Sequence, residues 1–433
     1  MVAIAAVSRK PAIRDGPSNG GRNRSRSPKG GVVVGQGPPA KGDIFRYMCL
    51  PAMGDAPVDV GVPAARATSS NASGPAQSPN TRTAGSKRSL TGEGPPSSVP
   101  ALSVDIPRSV SCQGIGGPLL NFIAETDFAR TVFADIETKG FAILRGVLSS
   151  EEAERELQRM WGFVETVNPS VRKCDSETWY PRGGLDPWPH AQRDMMQLHQ
   201  AGWVFSDLRE VLAARVFERI YGRKELHSSK DGFTFQRPTR ASLKRRLNDH
   251  FDQCGGKVGL HCIQGSVALL DQLPDDGCFQ CWPGSHRHHA QIAAGASRDW
   301  YILSDADRRS LEAAGCGPQR VPVGRGDVVL WRSDLAHSGA SPKGVRDSFR
   351  AVVYICMLPA CMTPASMYLK KQQAYEKLAT GSHWPTKEEW FGGTRWRRLA
   401  FEPKPFFETP PKLTKRQEEL YGLKRYNRAS DGR

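Results

Sequence analysis

Residues 326–339 read Gly326-Asp327-Val328-Val329-Leu330-Trp331-Arg332-Ser333-Asp334-Leu335-Ala336-His337-Ser338-Gly339. A Gly-Asp turn opens an apolar run too short for a helix, which by its length and composition is a buried strand. A polar turn and a single histidine follow it. The same pattern recurs around it: short apolar runs between Gly, Pro and Asp turns at 232–235, 259–270, 277–282 and 350–358. Short strands at this spacing predict an antiparallel sandwich or barrel rather than a doubly wound parallel sheet. The chain shows no internal repeat, no Gly-rich phosphate loop ahead of a helix and no Gly-x-Ser-x-Gly elbow.

Working back towards the N-terminus, Gly140-Phe141-Ala142-Ile143-Leu144-Arg145-Gly146-Val147 is another glycine-bounded buried strand. Ser149-Ser150-Glu151-Glu152 after it has the capping-box pattern that starts a helix. Leu157, Met160, Trp161 and Val164 then recur at helical spacing on one buried stripe. A second helix is expected over 206–221, with Leu208, Leu212, Val216 and Ile220 on one face and Gly222 placed to end it.

The chemistry concentrates in 248–350. Asn248-Asp249-His250-Phe251-Asp252-Gln253 holds a His-x-Asp, and on an extended strand residues two apart share a face. His250 and Asp252 can therefore converge on one ion, and His337 supplies a second imidazole. Two histidines and one carboxylate on one side of a metal are the facial triad of non-haem Fe(II) oxygenases, which leaves positions open for a bidentate co-substrate and O₂. Arg350, thirteen residues past His337, opens an apolar strand. Its guanidinium can grip a carboxylate through two parallel hydrogen bonds.

Neighbouring residues carry competing readings. Gln264 is placed to hydrogen-bond a cofactor inside the barrel, or to be a polar core residue with a backbone partner. His286 reads as a turn cap or pocket residue before it reads as a ligand, and His288 and His289 as solvated. Cys278-Phe279-Gln280-Cys281 lacks the second pair that a zinc site needs, so with Cys254 and Cys262 it reads as buried packing. Trp179, Tyr180, Trp188 and Trp203 are either a substrate lid or ordinary core aromatics.

Of 433 residues 39% are hydrophobic, and the mean hydropathy is −0.48, low for a chain packed throughout. The formal charge is +16. Residues 1–117 hold 14 Lys/Arg against 6 Asp/Glu and 14 of the 32 prolines, which predicts a disordered basic arm. Arg22-Asn23-Arg24-Ser25-Arg26-Ser27-Pro28-Lys29 within it reads as a solvated tail, a contact for nucleic acid or anionic membrane, or a nuclear address. No aromatics interleave with it, and no helix-turn-helix, zinc finger or RNA-recognition motif accompanies it. No run of about 18 apolar residues supports a transmembrane helix. Met1–Asp15 lacks the hydrophobic stretch of a secretory signal. Ten cysteines are too sparse for a disulfide scaffold and fit a reducing compartment. An intracellular location is expected, cytoplasmic or nuclear, with organelle targeting by the arm left open.

The order of the elements is specific. Gly140–Ser149, His250–Gln253, Gly259–Leu269, Asp276-Gly277 with Pro283-Gly284-Ser285-His286, Gly326–Trp331 and His337-Ser338-Gly339 resemble the phytanoyl-CoA dioxygenase (PhyH-like) family of Fe(II)/2-oxoglutarate oxygenases. The resemblance covers about 120–360. His383-Trp384-Pro385 and 411–423 resemble an extension found in some of its members.

The resemblance implies a mainly β fold with flanking helices around a double-stranded β-helix, or jelly roll. It implies His250, Asp252 and His337 as iron ligands, and Arg350 as the anchor for the distal carboxylate of 2-oxoglutarate, with Arg346 as its competitor. Some members place a hydroxyl two residues after the distal histidine, where this chain has Gly339. Asp252 points to hydroxylation, because the related halogenases replace that carboxylate with a small residue. The expected organisation is the arm at 1–117, the dioxygenase domain at 118–360 and a C-terminal extension at 361–433. The expected activity is hydroxylation of an unactivated C–H in a small organic or lipid-like molecule, coupled to oxidative decarboxylation of 2-oxoglutarate to succinate and CO₂. Fe(II), 2-oxoglutarate and O₂ are the cofactor and co-substrates, with ascorbate as an accessory reductant. The alternatives are a protein or nucleic-acid hydroxylase or demethylase recruited by the arm, and a non-catalytic scaffold. A small-molecule enzyme should keep its activity without 1–117, whereas a macromolecular one should lose much of it.

Overall fold

The computed structural model describes residues 117–191, 193–198, 200–238, 248–345, 347–391, 399 and 401–427. The arm expected over 1–117 lies outside the described residues apart from Gly117, and so does Arg346.

Twelve strands are described: β1 (Phe141–Leu144), β2 (Met195–Met196), β3 (Leu226–Ser228), β4 (Phe233–Gln236), β5 (His250–Phe251), β6 (Ile263–Ala268), β7 (Cys278–Cys281), β8 (Tyr301–Ile302), β9 (Gln319–Val321), β10 (Val328–Arg332), β11 (His337–Ala340) and β12 (Arg350–Pro359). They form two antiparallel sheets. The larger runs β1-β10-β6-β12-β4-β2, with β3 pairing the far end of β12, and the smaller runs β8-β5-β11-β7-β9. Each run singled out in the sequence contributes a strand, within a residue of the expected bounds for β4, β10 and β12 and shorter than the run for β1, β6 and β7.

Central β6 is buried at every residue, and its polar Gln264 and Ser266 lie on the same face as Ala268. Its inner face and that of β10 pack Ala268, Val329 and Trp331 against Phe279, Cys281 and Val321 of the smaller sheet. The two sheets therefore enclose one core, as in a jelly roll.

Helices α1 (Asp127–Thr138), α2 (Ser150–Val167), α3 (Ser206–Leu212), α4 (Asp305–Ala313), α5 (Met367–Glu376) and α6 (Lys415–Leu420) flank the sheets. The capping box of α2 is present: Ser149 Oγ accepts from the Glu152 N–H, and the Glu152 carboxylate accepts from the Ser149 N–H. Met160, Trp161 and Val164 are buried as the stripe requires.

The second helix differs from its expectation. After α3 the chain continues as a π-helical segment (Ala213–Phe217) and one last turn (Glu218–Tyr221) before Gly222 at φ +62°. Leu208, Leu212, Val216 and Ile220 are all buried. An apolar residue at every fourth position drifts about 40° per step around an α-helix. A wider turn brings the stripe back over itself.

Trp179, Tyr180, Trp188 and Trp203 are all buried, which decides for core over lid. Trp161 packs on Trp179, Trp188, Phe235 and Phe349 with ring centroids 4.9–5.8 Å apart. The Trp188 indole N–H donates to the Phe235 carbonyl. Among the described residues no helix is long and apolar enough to cross a membrane.

Candidate metal centre

Strands β5 and β11 pair with His250 directly opposite His337, so the two imidazoles share one face with ring centroids 4.5 Å apart. Asp252 reaches them differently from the expected strand alternation. Strand β5 ends at Phe251, and Asp252 stands in the following bend, held by its N–H donating to the Ser333 carbonyl at 3.0 Å. Phe251 turns the other way, into a cluster with Trp282, Leu303 and Leu311.

The three donors lie close together. His250 Nε2 is 3.6 Å from Asp252 Oδ1, and His337 Nε2 is 3.4 Å from Asp252 Oδ2. Neighbouring ligands at bond lengths of about 2.1 Å around one ion stand about 3 Å apart. His250 Nδ1–H donates to the Asn248 carbonyl at 2.8 Å and His337 Nδ1–H to the Leu335 carbonyl at 3.0 Å. Those bonds fix the tautomer and leave both Nε2 lone pairs turned towards the carboxylate.

The charge states agree with that arrangement. Burial lowers the His250 pKa. Burial works to raise Asp252, but the neighbouring histidines His383, His250 and His337 outweigh it and hold the carboxyl well below its usual range. Two imidazoles and an ionised carboxylate fit a divalent cation. These three are the one group among the described residues with metal-ligand spacing.

Gln264 stands on β6, and its Nε2–H donates to Asp252 Oδ2 at 2.9 Å. It therefore has a side-chain partner, in place of the backbone partner given as its alternative. Its Oε1 is buried with no hydrogen-bond partner. Arg350 is the first residue of β12, buried, and its one described hydrogen bond is a weak contact from Nε to Gln272 Oε1 at 3.4 Å. A Cβ on Gly339 would meet Arg350 Nη1 at 3.6 Å, so that position does face the guanidinium and offers it no hydroxyl. Ser338 is turned elsewhere and donates to Asp249 Oδ1 at 2.7 Å.

Triad, Gln264 and Arg350 line one cavity of about 430 Å³ between the sheets. Arg193 from the segment before β2, Met195 of β2 itself and Trp300 from the loop before β8 contribute to its wall. The sequence reading missed a further contribution, from the C-terminal extension: Ser382, His383, Trp384, Glu389 and Phe391 also line the cavity. The signal was present, since His383-Trp384-Pro385 stands out in an otherwise plain tail, but nothing tied it to the barrel.

A buried cluster holds that segment in place. Glu388 Oε1 accepts from Lys230 Nζ at 2.6 Å and lies 3.2 Å from Lys371 Nζ, and all three side chains are almost fully buried. Lys371 Nζ also donates to the Pro385 carbonyl, and the Trp390 indole N–H to Glu388 Oε2. Nearby, Asp299 pairs with Lys257 and Lys387, and the Lys257 ammonium stands 3.6 Å over the Trp384 ring.

Other sequence candidates fall away from the site. His286 is bonded through Nε2 to the Glu137 carbonyl and does not line the cavity. His289, expected to be solvated, is buried, bonded to the Gln253 carbonyl and set edge-on to Phe251. His288 is half-buried. Cys262, Cys278 and Cys281 are buried free thiols and Cys254 is half-buried, as packing requires.

Residues 136–344 match the family model for phytanoyl-CoA dioxygenase (PhyH). The Ava biosynthesis cluster protein O of Aspergillus versicolor is 22% identical over 270 residues, 58% of this chain and 84% of that one. The epimerase SnoN in complex with Fe3+, α-ketoglutarate and nogalamycin RO is similar with a TM-score of 0.40 and 16% identity, over 62% of this chain and 97% of that one. EctD from S. alaskensis with 2-oxoglutarate and 5-hydroxyectoine is similar with a TM-score of 0.38 and 15% identity, over 58% and 84%.

Proposed function

From the match of residues 136–344 to the phytanoyl-CoA dioxygenase (PhyH) family model, we propose that the chain is an Fe/2-oxoglutarate-dependent oxygenase of that type and that it hydroxylates an unactivated C–H of a small organic or lipid-like molecule. In this reading His250, Asp252 and His337 are the iron ligands and Arg350 anchors 2-oxoglutarate. The observation that carries it is the pair of Nδ1 bonds to backbone carbonyls, which aim both histidines at one ionised carboxylate in the cavity that also holds Arg350. When bound, iron would supply the oxidation of a C–H bond by O₂ at the expense of 2-oxoglutarate.

The chain's own part is positioning. Arg350 offers its Nη pair to a carboxylate, and nothing described satisfies that pair beforehand. Gln264 keeps Asp252 Oδ2 oriented. The residues of 382–391 cover the cavity and limit its water. A volume of about 430 Å³ supports a small molecule over a macromolecular substrate.

The test is succinate formation by the full chain, purified anaerobically and then given Fe(II), 2-oxoglutarate and O₂. Succinate above a His337→Ala control is expected. A folded protein that binds neither Fe(II) nor 2-oxoglutarate would sink the reading in favour of a scaffold.

Two further results are expected. Arg350→Ala removes a charge-assisted pair of hydrogen bonds, so the KM for 2-oxoglutarate should rise by about 10–100-fold, or about 1.5–3 kcal/mol. An unchanged KM would move the anchor to Arg346. Gln264→Leu removes the donor that orients Asp252, and Fe(II) affinity should fall by about 10–100-fold. Anaerobic titration calorimetry reads that loss, and an unaltered affinity would return Gln264 to a plain core role.

A further inference from the structure

The register of the larger sheet fixes which end of the cavity belongs to which reactant. Arg350 pairs with Gln236 on β4, whereas Cys356, further along β12, pairs with Gln264, the residue bonded to Asp252. Arg350 and the metal triad therefore stand at different levels along β12. Phe233 pairs with Val353, so Asp231, two residues before it, stands at the triad's level.

Asp231 is 7% exposed and lines the cavity. Its Oδ1 accepts from Ser229 Oγ at 2.7 Å and lies 3.7 Å from Arg209 Nη2, while that Nη2 donates to the Asp231 carbonyl at 2.6 Å. A carboxylate offers about four acceptor sites, and the described donors fill only part of them, so one that bounds a cavity can still take a hydrogen bond from a ligand.

The surroundings point the same way. His383, from the C-terminal segment, lines the same cavity as Asp231 and Asp252. Thr234 Oγ1 and the Tyr354 hydroxyl, 2.9 Å apart, line the same wall.

Resting on the oxygenase reading above, we propose that Asp231 is a substrate-recognition residue that accepts a hydrogen bond from a hydroxyl or protonated amine of the substrate beside the metal. An acidic substrate group would meet a carboxylate there and be rejected.

The experiment uses the full chain loaded with Ni(II), as an inert stand-in for iron, and with saturating 2-oxoglutarate, so that Arg350 is occupied. Cyclohexylamine, cyclohexanol and cyclohexanecarboxylate are then titrated and followed by saturation-transfer NMR. Wild type should bind the amine or the alcohol about tenfold more tightly than the carboxylate, the loss expected for one hydrogen bond to a charged group. Asp231→Asn, which keeps the acceptor for Ser229, should erase that preference and leave Ni(II) and 2-oxoglutarate binding unchanged.

A purely structural Asp231 would lower thermal stability without altering selectivity. The proposal is overturned if the carboxylate binds as well as the amine and the alcohol, if wild type retains none of the three probes, or if Asp231→Asn keeps the preference. Failure of wild type to take up Ni(II) and 2-oxoglutarate would instead strike the oxygenase reading, and the inference with it.

Discussion

Replacing His337 by alanine is expected to abolish succinate formation while the barrel still folds. The imidazole stands in β11 with its Nδ1 tied to the Leu335 carbonyl, so its exchange removes one donor of three and leaves β11 paired on both sides with β5 and β7. Removing a group that only orients a metal ligand costs about 10–100-fold in metal affinity or activity, and losing the ligand itself should exceed that range. Asp252→Ala should do the same, because the remaining imidazoles offer no charge to a divalent cation. Fe(II) binding by anaerobic calorimetry and succinate release under O₂ read both variants. Either variant keeping wild-type turnover would dismantle the triad.

The second large effect is on stability. Glu388→Ala should destabilise the protein by about 3–5 kcal/mol, the cost of removing one partner from a buried ion pair. Lys230 and Lys371 would then face each other, nearly fully buried, without a carboxylate. Burial already lowers Lys371 to about 7. Since its folded pKa lies below that of an unfolded lysine, the unfolded chain binds more protons from about pH 7 upwards. Stability should therefore rise with pH above that point, and more so in the variant. Urea unfolding at pH 7 and pH 9 measures both effects. A midpoint unchanged at pH 7 would show that the cluster bears no load.

The barrel was legible because its strands announce themselves locally, through short apolar runs between turns. His337 was legible for the same reason, since it follows such a run, and His250 through its His-x-Asp pattern. Asp252 was found for a partly wrong reason, since β5 ends one residue before it and a bend, not strand alternation, turns the carboxylate inward.

The wall formed by 382–391 was not legible. What holds it is a bond between Lys230 and Glu388, 158 residues apart, and no periodicity reports a contact of that range. Gln264 was singled out, but its partner, Asp252 in the bend after β5, can be seen only once the sheets are closed. The π-helical segment left a trace in its strict four-residue spacing, which a plain helix would not need.

The separation of wall and ligands along the chain has a consequence for synthesis. Domains generally fold as the ribosome releases them, N-terminal part first. All four residues assigned to iron and 2-oxoglutarate have emerged once Arg350 has, whereas the cover ends at Phe391. A nascent or clipped chain can thus hold every group that handles the oxidant while part of the cavity wall is still missing. Glu388, by seating that part, couples completion of the wall to the arrival of the C-terminal segment.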